Sequence, residues 1–182
     1  MVDEASVLVV DDEPDVIDRY EDYLADTCRV RTATDGAAAM AELDGSVDAV
    51  LLDRRMPGTT GDEVLGMIEA RGLDPRIALV TAVSPDFDIV DLHLDDYLVK
   101  PVTKAEVHET VERLLLIDEY SARRRELNAL QVKRNVLQVE KSTAELEASR
   151  EYRDLVADIE ALESRVAALT DSLEGTPLER YS

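Results

Sequence analysis

From Val102 to Glu174 the chain runs 73 residues without a glycine or a proline, whereas eleven of its thirteen glycines and prolines lie before residue 102. Nothing in the second stretch breaks a helix, so it is expected to be all α. The first stretch is punctuated like an alternating α/β domain, and the two are expected to be separate domains, 1–117 and 118–174. Residues 175–182, with Gly175 and Pro177, are expected to form a flexible tail.

In the first part, short apolar runs rich in β-branched residues alternate with helical periodicity. Strands are predicted over Ser6–Val10, Arg29–Ala33, Ala49–Leu52, Ile77–Val80 and Asp96–Val99. Between them, Pro14 opens a helix with Ile17, Tyr20 and Leu24 on one face, and further helices are expected over Gly36–Leu43 and Gly61–Arg71. Thr103 caps a last one, with Val107, Val111 and Leu114 inward. Five strand–helix pairs predict an α/β fold, a (βα)5 doubly wound parallel sheet.

Ligands of such sheets bind at the carboxyl ends of the strands. Asp11 and Asp12 follow the first strand, Asp53 the third, Thr81 the fourth and Lys100 the fifth. Three carboxylates in one small site repel each other and call for a cation; oxygen ligands of this kind suit Mg²⁺. A carboxylate beside bound Mg²⁺ can attack phosphorus and form an aspartyl phosphate, with Thr81 and Lys100 facing the phosphoryl oxygens. His93 and His108 stand alone and read as surface residues.

Composition narrows the function classes. The chain carries 41 acidic and 20 basic side chains, a net charge of −21, and residues 1–117 account for 27 of the acids and 10 of the bases. Such a charge repels phosphate backbones and anionic lipid, so nucleic acid is not the default partner. Lysine occurs only 4 times against 16 arginines, which fits a protein working in molar salt, where screening removes the self-repulsion. The single Cys28 supports neither a disulfide framework nor a Cys-ligated zinc. No apolar run approaches the roughly 20 residues of a membrane span, and the acidic start is unlike a signal peptide, so a cytoplasmic protein is expected.

The motifs Val-Val-Asp-Asp-Glu-Pro at 9–14, Leu-Leu-Asp-Arg-Arg-Met-Pro-Gly-Thr-Thr-Gly at 51–61, Thr81-Ala82 and Tyr97-Leu98-Val99-Lys100-Pro101 resemble the receiver domain of two-component response regulators. The resemblance covers about residues 5–117 and implies a flavodoxin-like sheet of strand order 2-1-3-4-5. It implies that Asp53 accepts phosphoryl from a sensor histidine kinase. It also implies that Asp11, Asp12, Asp53 and the backbone carbonyl of Arg55 hold Mg²⁺, and that Thr81, Ala82 and Lys100 form the phosphate-binding and switch region. An aromatic at the position of Tyr97 rotates inward in this family, and the Lys100–Pro101 bond is expected to be cis. This chain departs from the common pattern in two places. Arg54 and Arg55 follow the phosphoacceptor, and only 19 positions separate Thr81 from Lys100. The helix between the last two strands is therefore expected to be short or irregular, which weakens the case for dimerisation through that face.

In the helical part, Tyr152, Leu155, Ile159, Leu162, Val166, Leu169 and Leu173 follow a 3-4 spacing, a coiled-coil seam. The stripe before it, Tyr120, Leu127, Leu130 and Leu137, is interrupted at Arg123 and Arg134. Ser142-Thr143-Ala144-Glu145 has the spacing of a capping box, so helices are expected over about 103–141 and 143–174. The two could fold into a hairpin, since 118–141 carries six bases and four acids and 143–174 three bases and nine acids. The hairpin is favoured; an unbroken helix, the alternative, needs a partner surface to bury its seam, and a homodimer through the helical region is one such partner. Glu119-Tyr120-Ser121-Ala122 and Glu140 to Glu147 resemble the HalX domain that follows receivers in haloarchaeal regulators, a domain presumed to bind DNA. Arg123-Arg124-Arg125 is one basic run and no helix-turn-helix is visible. The expected output is therefore protein–protein interaction, with direct DNA binding as the alternative, and no conventional enzyme activity beyond self-phosphotransfer and slow autodephosphorylation is expected.

Overall fold

The computed structural model describes residues 5–82, 85 and 87–174; the tail expected over 175–182 lies outside the described residues. Strands β1 (Ser6–Val10), β2 (Arg29–Ala33), β3 (Ala49–Asp53), β4 (Arg76–Thr81) and β5 (Asp96–Val99) form one parallel sheet in the order β2-β1-β3-β4-β5. The helices are α1 (Pro14–Leu24), α2 (Gly36–Glu42), α3 (Gly61–Ala70), α4 (Lys104–Glu140), α5 (Thr143–Ala148) and α6 (Arg150–Glu174). Two compact units divide between Leu115 and Leu116, so α4 carries residues of both.

The architecture of the first unit stems from strand alternation. Side chains two apart share a face of a strand. Leu8, Val10, Val50, Leu52, Ile77 and Leu79 accordingly pack in one core with Met40 of α2 and Val64, Leu65 and Ile68 of α3. Their sequence neighbours Val7, Val9, Ala49, Leu51, Ala78 and Val80 face the other side, against Ile17, Tyr20 and Leu24 of α1 and Val107, Val111 and Leu114 of α4. Both sheet faces are covered, which is why these strands read as continuous apolar runs. Between β4 and β5 a 3₁₀ turn, Phe87–Asp91, stands where a longer helix would leave no room in so short a connection. Phe87 and Val90 on it are exposed.

In the second unit the later turns of α4 and the helix α6 run antiparallel. Leu127, Ile159 and Val166 form a small core, flanked by Tyr120, Leu130, Leu155 and Leu162. Cross-helix bonds follow the same pairing. Gln138 Nε2 donates to Tyr152 Oη at 3.0 Å, Gln131 Nε2 to Glu163 at 3.1 Å, and Arg165 Nη2 pairs with Glu119 at 2.6 Å. The 152–173 seam is thus occupied within the chain: Ile159, Val166 and Leu169 are buried.

The chain turns at Ser142, whose Oγ accepts from the Glu145 N–H while Glu145 returns a bond to the Ser142 N–H. The single helix expected over 143–174 is in fact two. Ser149 interrupts it with extended backbone (φ −78°, ψ 126°), and its Oγ accepts the Tyr152 N–H at 3.1 Å, so a second cap restarts the helix as α6.

Candidate functional site

Each side chain expected to bind phosphate or metal stands where a strand ends. Asp11 and Asp12 leave β1, Asp53 closes β3, Thr81 closes β4 and Lys100 comes directly after β5. Asp11, Asp12 and Asp53 each offer a carboxylate oxygen, and the three oxygens lie within 4.8 Å of one another. The Lys100 ammonium reaches between two of them, donating to Asp11 Oδ2 at 2.7 Å and to Asp53 Oδ2 at 3.2 Å, with Glu13 at 3.9 Å. Asp11 is 1% and Asp53 6% exposed, whereas Asp12 is half-buried and Glu13 exposed. The Lys100–Pro101 peptide bond is cis.

The backbone holds the carboxylates in place. Asp11 Oδ1 accepts the Glu13 N–H at 3.0 Å, and Asp53 Oδ1 accepts the Arg55 N–H at 3.1 Å. The loop after Asp53 is drawn against its surroundings, the Arg54 N–H donating to Val80 O and the Gly61 N–H to Arg54 O. Gly61 is required there, because a Cβ would come 2.6 Å from the Asp53 carbonyl and 2.8 Å from Arg54 Cα. Thr81 is fully buried, and its carbonyl accepts the Lys100 N–H at 2.7 Å. Ala82 is exposed, and the Tyr97 ring is buried in the core on the α2–α3 face of the sheet.

Burial raises the Asp53 carboxyl above its ordinary 3.8, because the anion loses water; the Arg55 N–H and the Lys100 charge oppose this without cancelling it. Burial pulls Lys100 the other way, toward neutrality, but the bonds and charges of Asp11 and Asp53 outweigh it and its ammonium is held above the usual lysine range. Burial also pushes the Tyr20 phenol up to about 12. Three clustered carboxylates against one ammonium leave negative charge that a hard divalent cation with oxygen ligands would neutralise, so the donor set fits Mg²⁺. Among the described residues no histidine joins this cluster.

The arginines after Asp53 separate. Arg55 is exposed, whereas Arg54 turns to the start of α3 and clasps Asp62 with two bonds, Nε–Oδ1 at 3.0 Å and Nη2–Oδ2 at 3.1 Å. Neither this clasp nor Glu13 beside Lys100 is anticipated from the sequence. The signal for the clasp lies in the eight-residue step from Arg54 to Asp62, spanning a loop whose closure is not visible without Gly61.

The chain matches the response regulator receiver domain over residues 7–112 and the HalX domain over 116–180. It is 51% identical over 137 residues to a Haloferax volcanii protein provisionally described as a transcriptional regulator, a match covering 70% of this chain and 22% of the relative. A Mycobacterium tuberculosis sensory transduction protein, RegX3, is 36% identical over 115 residues, 60% of this chain and 50% of that one. This chain therefore matches less than two thirds of the length of either relative. Among solved structures, the Thermotoga maritima response regulator TrrA in complex with Mg²⁺-BeF is 35% identical with a TM-score of 0.54, covering 61% of this chain and 99% of that one. A parallel sheet of this order and the two matched regions lead to one conclusion: the chain belongs to the response regulator family, a receiver domain followed by a HalX domain.

Proposed function

We propose that this chain is a phosphorylation switch in which Asp53 takes a phosphoryl group from a histidine kinase and the helical region passes the change to a protein partner. The observation that carries this reading is the convergence at the strand ends of Asp11, Asp12 and Asp53, whose carboxylate oxygens lie within 4.8 Å of one another, with Lys100 bonded to Asp11 and Asp53. Residues 1–117 form the phosphoacceptor part in this reading, and 118–174 the output.

An Asp53 carboxylate oxygen attacks the phosphorus of the kinase's phosphohistidine. The P–N bond breaks as the new P–O bond forms, and its electron pair stays on the imidazole nitrogen. Mg²⁺, held by Asp11, Asp12, Asp53 and the Arg55 carbonyl, would offset the charge gathered on the transferring oxygens. Lys100, already bonded to Asp53, supplies a fixed positive charge to the phosphoryl group, and the Thr81 hydroxyl supplies a donor from the neighbouring strand end. Tyr97 is seated inward, the side on which the family's switch aromatic rests after phosphorylation.

The run Arg123–Arg125 supports a protein partner over DNA. Arg123 pairs with Glu126 at 3.1 Å, and the Arg124 guanidinium lies 6.0 Å from the Tyr120 ring centre, so two of the three arginines are engaged on their own helix. Incubation with acetyl phosphate and Mg²⁺ in molar KCl, read by phosphate-affinity electrophoresis, tests the switch. One shifted band is expected, lost in Asp53→Asn and with EDTA; a band that persists in Asp53→Asn overturns the assignment. A gel shift with genomic fragments in the same salt tests the DNA reading, and no shift is expected.

A further inference from the structure

The hairpin absorbs the 152–173 seam but leaves a second apolar stripe bare. Val132, Val136 and Val139 occupy successive turns of α4 on the face away from α6 and are 61%, 55% and 82% exposed. Single exposed apolar residues need no explanation, but these three β-branched ones on consecutive turns line up as one apolar stripe. Lys133 and Glu140 border it on one side, both exposed and neither with a partner among the described residues. Asn128 and Asn135 border it on the other.

We infer that this stripe pairs with the same stripe of a second copy, antiparallel, about a two-fold axis at Val136. The pattern is self-complementary in that orientation only. Val136 meets the partner's Val136, Val132 meets the partner's Val139, and Lys133 meets the partner's Glu140, with the last two pairs each made twice. A parallel copy would instead set Lys133 against the partner's Asn128 and Glu140 against the partner's Asn135, and both charges would stay unpaired. The inference deepens the output half of the proposed function and rests on that reading: self-association becomes the protein–protein event available to the helical region. A stripe of about three turns buries less than a standard interface, so association is expected to be weak and concentration-dependent.

Oxidative cross-linking of the full chain in molar KCl tests the register. Wild type, whose only cysteine is the buried Cys28, is the blank. Val136→Cys is expected to form a disulfide-linked dimer. Val132→Cys alone is not, since its copies would stand about 12 Å apart along the axis, beyond disulfide reach. Val132→Cys mixed with Val139→Cys is expected to cross-link again. Sedimentation over a concentration series is expected to show a mass rising from one chain toward two, a rise lost in Val139→Glu while the helical circular dichroism is kept. If Val139→Glu lowers the helical signal, Val132→Ser takes its place. Cross-linking of Val132→Cys with itself would mean parallel pairing, and a mass of one chain at every concentration would mean that another partner covers the stripe; either overturns the inference. Acetyl phosphate labelling of Asp53, run on the same variants, is expected to be unchanged, and its absence from wild type would fault the switch itself.

Discussion

In the proposed switch Asp53 reacts as an anion, yet burial disfavours that anion. The fold raises its pKa, chiefly by burial, so the native state holds this proton more tightly than the unfolded chain does. That preference stabilises the fold below the ordinary 3.8 and is lost as pH rises from there through the raised folded value, leaving a buried charge at neutral pH. Asp53→Asn is therefore expected to raise the melting temperature at pH 7 without Mg²⁺ by a few degrees, with the gain vanishing below about pH 4. Paired melting curves across that range check it, and a loss of stability at pH 7 would mean that the bond to Lys100 outweighs burial. Gly61→Ala tests the loop beside it. The added carbon meets backbone atoms of Asp53 and Arg54 that cannot swing away, so a cost of about 1–3 kcal/mol in chemical denaturation is expected, with slower phosphorylation of Asp53.

Elements differ in how much of them a sequence shows. The five strands were legible because short β-branched runs end at turn residues, whereas their register was not, since runs that are apolar on both faces carry no alternation to fix it. The carboxylates and Lys100 were legible as a site for the same reason: a parallel sheet delivers its strand ends to one edge. On α4 the pattern was not enough. Leu127, Leu130 and Leu137 lie along one face and Val132, Val136 and Val139 along another, and only the fold of α6 decides which is covered. Arg134 interrupts the first stripe in sequence, yet it lies half-buried within it, as a long side chain with an apolar stem can. The interruption at Ser149 is not legible because serine is tolerated inside helices and its cap forms only when the backbone extends. The hairpin's weight is expected to rest on Ile159, which is 1% exposed between the two helices. Ile159→Ala should cost about 2–5 kcal/mol, seen as faster hydrogen exchange along α6 with α1–α3 unchanged. Equal acceleration in both units would show that they unfold as one.

At the scale of the whole molecule the dominant quantity is charge. A net −21 is held mostly by residues 1–117, whose 27 acids face 10 bases, while 118–182 carry 14 and 10. Repulsion among surface carboxylates reaches as far as the screening length, about 3 Å at 1 M salt and about 10 Å at 0.1 M. Removing salt therefore couples carboxylates that were independent, and the cost falls on the receiver part first, where the acids are most in excess. The site adds to it, since Asp11, Asp12 and Asp53 are gathered against a single Lys100. Dialysis from molar KCl to about 0.1 M is expected to unfold residues 1–117 before the hairpin, whose core of Leu127, Ile159 and Val166 carries no such excess. Circular dichroism would lose part of its helical signal in a first step, and labelling of Asp53 by acetyl phosphate would disappear in that same step. If Mg²⁺ binds the native cluster as proposed and not the unfolded chain, millimolar Mg²⁺ should shift the step to lower salt, and it should do so less in Asp53→Asn. An unchanged spectrum in low salt would show that the acidic surface is tolerated without screening.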